Sequence, residues 1–62
     1  MKMYEAIARR DGNFWSVEIP ELDLFTQART VEEIEDMARD VIAISLEVPA
    51  ESFGVQVGID GR

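Results

Sequence analysis

Residues 15–46 read WSVEIPELDLFTQARTVEEIEDMARDVIAISL, and the fold turns on how that stretch divides. Trp15, Val17 and Ile19 alternate with polar residues, the period of a half-buried strand. Pro20 cannot donate to a ladder and ends it. Leu24 to Ala28 reads as a short strand returning beside the one before. Thr30 then begins a helix. Its hydroxyl is placed to accept from the Glu33 N–H, while the Glu33 carboxylate reaches back to the Thr30 N–H, a capping box. Glu32, Glu33, Glu35 and Asp36 add negative charge where the helix dipole favours it. The helix is expected to run to about Val48 and to stop at Pro49. On a helical wheel, Val31, Ile34, Met37, Ala38, Val41, Ile42, Ile44, Ser45 and Val48 share one face. The acids, Arg39 and Ala43 lie opposite. Ser45, near the middle of the apolar face, is small enough to pack over Ala6 and Ala8.

Upstream, Asp11-Gly12 is a dipeptide that favours a type I′ hairpin turn. Centring the turn there sets Arg10 against Asn13 and pairs Ala8–Trp15, Ala6–Val17 and Tyr4–Ile19 on one face. Arg9–Phe14, Ile7–Ser16 and Glu5–Glu18 fall on the other. A slip by one residue would mix the two sets. Downstream, after a Pro-Ala-Glu-Ser loop, Phe53, Val55, Val57 and Ile59 alternate with Gly54, Gln56, Gly58 and Asp60 as a half-buried last strand. Gly61 and Arg62 are expected to fray. The whole chain, residues 1–62, thus reads as a single α+β domain of order β-β-β-α-β. A right-handed crossover sets the fourth strand parallel to the first, giving the order 3-2-1-4 with the helix on one face.

The chemistry the residues leave out narrows the function. The chain has no histidine and no cysteine, so the usual neutral-pH general base, a thiol nucleophile and a disulfide are all excluded. The serines and threonines have no activating partner visible in the sequence, and there is no glycine-rich phosphate loop. Asp11-Gly12-Asn13 lacks the alternating ligands of a calcium loop. The carboxylates at Glu32, Glu33, Glu35 and Asp36 read as a solvated helix start. No catalytic, cofactor-binding or metal residue is assigned, and the expectation is a protein that is not an enzyme.

Thirteen acids against six bases give a net charge of −7. That disfavours nucleic acid, whose phosphates call for a basic surface, and equally disfavours anionic membranes. It suits a basic protein partner, and it also serves plain solubility. No run approaches the roughly 18 apolar residues of a membrane span, and the N-terminus has no signal-peptide core, so a cytoplasmic protein is expected. A domain this small hides only about 60% of its unfolded surface, which makes association with another chain, including homo-oligomers, an expectation on stability grounds.

Two places suggest a partner-binding surface. Glu5 opposite Glu18, with Ile7 and Phe14 on the same open face, sets like charges across a hairpin. That costs up to about 1 kcal/mol. A cation from outside would relieve it, unless water, Arg9, Lys2 or Arg29 already does. Ile44 and Leu46 lie at opposite edges of a helical apolar arc wider than one sheet face needs, so part of that arc is a second candidate.

Three phrases, Ile19-Pro20-Glu21-Leu22, Phe25-Thr26-Gln27 and Thr30-Val31-Glu32-Glu33, resemble the N-terminal domain of the HicB family of antitoxins. The resemblance extends over nearly the whole chain. It implies a partial ribonuclease H-like sheet and a partner, a HicA toxin: a small basic ribonuclease that cleaves messenger RNA. The antitoxin would bind and block it by occlusion, with no cofactor. Family members often carry a glycine after the Pro-Asp/Glu-Leu turn, where this chain continues Asp23-Leu24. Many also carry a C-terminal DNA-binding domain, which this chain is expected to lack, so no direct contact with nucleic acid is expected. The alternative is an orphan HicB-like protein-binding scaffold that self-associates, by strand addition or by apolar helix contacts, and has taken another binding role without a toxin partner.

Overall fold

The computed structural model describes residues 1–60, so the fraying expected of Gly61 and Arg62 lies outside the described residues. Four strands, β1 (Lys2–Asp11), β2 (Phe14–Ile19), β3 (Leu24–Ala28) and β4 (Phe53–Asp60), surround one helix in the chain, α1 (Ile34–Leu46). The sheet order is β3-β2-β1-β4. β1 pairs antiparallel with β2, as does β2 with β3, whereas β1 and β4 run parallel. The domain is therefore a small α+β fold with a mixed sheet. The helix forms the crossover that a parallel return requires.

Gly12 sets the register of the hairpin, and it does so differently from the sequence expectation. The central turn residues are Gly12 and Asn13, with Asp11 opposite Phe14. Gly12 takes φ +63°, while neither Asp11 nor Asn13 has positive φ. A positive φ at the first central position alone is the type II′ turn. It places glycine where glycine is needed and spares Asp11 the left-handed region. The register moves by two residues, so Ala8 faces Val17, Arg10 faces Trp15 and Ile7 faces Glu18. A shift of two leaves every side chain on its expected face, but it changes every pair. Glu5 does not oppose Glu18: it pairs with Gln56 of β4, and Glu18 stands between Ile7 and Phe25.

The core lies between the sheet and the helix. Ala6 and Ala8 of β1, Val17 and Ile19 of β2, Ala28 of β3 and Phe53 of β4 meet Ile34, Ala38 and Ile42. Alanines at 6, 8 and 38 let the helix approach closely. Because the buried set is so rich in alanine, its large members reduce to Phe53, Ile19, Ile34, Ile42 and Val17.

Both helix ends depart from expectation. A 3-10 turn over Val31–Glu33 precedes α1, and no side chain caps it at Thr30. The Glu33 N–H donates to the Thr30 carbonyl (3.1 Å), which leaves the hydroxyl no role there. The Glu33 carboxylate reaches back one residue further and accepts from the Arg29 N–H (3.1 Å). At the other end the helix stops at Leu46. Glu47 turns left-handed at φ 57°, and the Val48 N–H donates to the Ala43 carbonyl (3.1 Å), the six-to-one bond of a Schellman ending. Pro49 disfavours helix at Val48, so the chain leaves early. Ser45 is exposed, as are its neighbours Ile44 and Leu46, and Ala38, two turns earlier on the same side, is the small residue that packs into the core.

Candidate protein-binding site

The strands display two faces, and the helix covers one. Since Ala6, Ala8, Val17 and Ile19 point to the helix, their neighbours Glu5, Ile7 and Glu18 point to the other side, together with Phe14. The register aligns them in rows across the sheet. Phe25, Glu18, Ile7 and Gly58 form one row that takes one residue from each strand. Gln27, Ser16, Arg9 and Asp60 form the next. Met3 and Gly54 lie beyond Glu5 and Gln56, with the Met3 thioether occupying the space a Cβ on residue 54 would need.

The charges on this face are unevenly matched. Arg9 Nε donates to Asp60 Oδ2 at 2.9 Å. Lys2, in phase with Tyr4, Ala6 and Ala8 on the other side of the sheet, pairs with Glu21 at 2.6 Å. The hydrogen bond and the charge of Glu21 hold the Lys2 ammonium above its ordinary pKa. Neither base is thus spent on Glu5 or Glu18, and among the described residues these two carboxylates have no ion-pair partner. Beside them Phe25 is 60% exposed, and Met3 is exposed as well. The face therefore combines unpaired carboxylates with accessible aromatic and thioether groups.

Ile44 and Leu46 belong elsewhere. Met37, two helical turns before Ile44, lines a shallow groove of about 500 Å³ with Ser16, Phe25, Thr26 and Gln27, so Ile44 lies on the β3 side of the helix. Arg39, two turns before Leu46, reaches the start of β4: its Nη1 donates to the carbonyls of Ala50 (2.7 Å) and Phe53 (2.9 Å). Leu46 therefore lies on the β4 side. Of the six candidate residues the structure gathers Glu5, Ile7, Phe14 and Glu18 on one face. It separates Ile44 and Leu46 from that face and from each other.

Phe25 was not a sequence candidate, although its phase opposite to Ala28 in β3 carried the signal. Arg39 was assigned to the solvent side of the helix. Glu35, one turn earlier, is a local partner, but the loop that returns over the helix gives Arg39 the carbonyls of Ala50 and Phe53, and no local pattern reveals those. Among the described residues no three acids gather to hold a metal ion, and no helix is long and apolar enough to cross a membrane. No family model, curated protein or solved structure matches the chain.

Proposed function

We propose that this chain is a HicB-like antitoxin, a cytoplasmic protein that binds a small basic RNA-cleaving toxin of the HicA kind and inhibits it by occlusion. It supplies no catalytic group, cofactor or metal to that task. The observation that carries the reading is the row Phe25–Glu18–Ile7, with Glu5 beside it: two carboxylates without a counter-ion among the described residues, set among accessible apolar side chains. Interface centres favour aromatic anchors, and complementary charge speeds encounter and suppresses wrong partners. An arginine or lysine from the toxin would stand over Glu5 and Glu18, with its apolar neighbours against Phe25 and Ile7. The strand order β3-β2-β1-β4 agrees with the arrangement the family resemblance implies, and this supports the reading.

The test is a pull-down of the tagged chain from its host, read by mass spectrometry, followed by an RNA-cleavage assay on whatever is recovered. A small basic protein at near-stoichiometric yield, whose cleavage of RNA the chain suppresses, is the expected result. Recovery of the chain alone defeats the proposal.

A further inference from the structure

The two edges of the sheet are unlike. β3 is five residues long and ends at Ala28, and the groove beside it is shared with the helix. β4 is eight residues long and pairs with β1 without a bulge, from Lys2–Phe53 to Arg9–Asp60. Its other side forms the end of the sheet. From Phe53 to Ile59 it carries no charged residue and no proline. Proteins blunt such edges with lysine, proline, bulges, short strands or a covering loop, and apart from Asp60 at its tip β4 has none of the first four. β3 is likewise uncharged from Leu24 to Ala28, but in a chain of net charge −7 β4 offers a second copy the longer uncharged run of edge backbone, seven residues against five.

We infer that β4 is a self-association edge, and that two copies pair their β4 strands antiparallel to extend the sheet across a two-fold axis. Such a contact is isologous and closes at two copies. It sets Asp60 of each copy beside the uncharged start of the other strand rather than beside the other Asp60. A strand of this length offers a seam about 27 Å long. A stable interface hides at least about 1,200 Å², so flanking side chains must contribute. Ile59, 48% exposed, and Leu46, on the β4 side of the helix, are placed to do so. The alanine-rich core gives the chain a reason to seek this added burial. Pairing lays the two open faces side by side, which predicts two partner molecules per dimer. The dimer itself stands or falls independently of the toxin.

The test uses the full chain alone, by sedimentation equilibrium over a range of concentrations. A dimer is expected. Gln56→Lys and Ile59→Lys, checked for folding by circular dichroism, should each weaken it by about tenfold or more, which corresponds to ~1.4 kcal/mol. Gln27→Lys on the β3 edge should leave it intact. Hydrogen exchange guards against variants that fail to fold: β4 amides should slow as the wild-type concentration rises while β3 amides do not. A wild-type monomer at every concentration overturns the inference, as does a dimer that the β4 variants leave unchanged. Concentration-independent exchange in β4 overturns it equally.

Discussion

The guanidinium of Arg39 lies 5.5 Å from the centroid of the Phe53 ring and donates to the carbonyl oxygen of that same residue at 2.9 Å. One side chain thus holds both the ring and the backbone at the point where β4 begins. It also donates to Ala50 and is steadied by Glu35 one helical turn earlier (3.2 Å). Arg39→Met should destabilise the fold by about 2 kcal/mol, from lost charged hydrogen bonds and a cation–π contact. Arg39→Lys should recover less than half of that, because an ammonium cannot reproduce the fork. Urea titration measures both. A loss below about 0.5 kcal/mol, the range of ordinary surface changes, would show the clip to be ornamental.

Two isoleucines one turn-fraction apart should behave oppositely. Ile42 is fully buried and Ile44 is 77% exposed. Ile42→Ala should cost about 2–5 kcal/mol, a large part of the ~3–9 kcal/mol that typical per-residue values give a domain of this length. Ile44→Ser should stay within about 0.5 kcal/mol. Thermal melts of the two variants decide it, and equal losses would mean that Ile44 has an unseen packing partner.

Backbone conformation gives a third contrast. Gly12→Ala should destabilise by about 1 kcal/mol or more, since φ +63° is costly for an L side chain. Asp11→Ala should be nearly silent. Asp23 and Glu47 hold φ 54° and 57°, where non-glycine residues are strained. Asp23→Gly and Glu47→Gly should each raise stability, by up to about 1 kcal/mol. An Asp11→Ala variant as damaging as Gly12→Ala would return the turn to Asp11-Gly12.

On the open face, Glu5→Lys with Glu18→Lys should leave the isolated chain within about 0.5 kcal/mol of wild type, since neither carboxylate has an ion-pair partner among the described residues. The double variant should slow association with a basic partner and flatten the salt dependence of that rate. Stopped-flow association at several salt concentrations reads this directly. An unchanged rate removes this face from the binding reaction.

Lys2 supplies a small alkaline signature. Glu21 raises its pKa above the ordinary 10.5, so the folded state holds this proton more tightly than the unfolded one. The resulting stability is present below pH 10.5 and is lost as pH rises through the folded-state value. Both side chains are about half exposed (54% and 52%), so salt should diminish the effect. Comparing Lys2→Met with wild type across that range isolates it. An effect of opposite sign would mean that Glu21 is not its partner in solution.

Element identity and sheet order were legible in the sequence because they rest on periodicity: Trp15-Val17-Ile19, Phe53-Val55-Val57 and the Ile34-Ala38-Ile42 stripe each declare a face. The hairpin register was not legible, because Asp11-Gly12 and Gly12-Asn13 are both competent turn centres. They differ by a shift that burial cannot detect, since alternate residues keep their side. The helix wheel overextended for a related reason. Angle says which way Ser45 points but not whether a strand lies beneath it. Arg39 depended on Ala50 and Phe53, more than ten residues away, a contact that only the crossover creates.

Along β1 and β2 the residues that pack the core and those that meet the outside alternate one by one: Ala6 and Ala8 against Glu5 and Ile7, Val17 and Ile19 against Phe14 and Glu18. Under the proposed function, recognition and folding are written on the same segments yet in separate registers. A descendant of this chain can exchange residues 5, 7, 14, 18 and 25 to follow a changing partner while residues 6, 8, 17, 19 and 28 go on building the same scaffold. Partner drift and structural drift are uncoupled at the level of single positions.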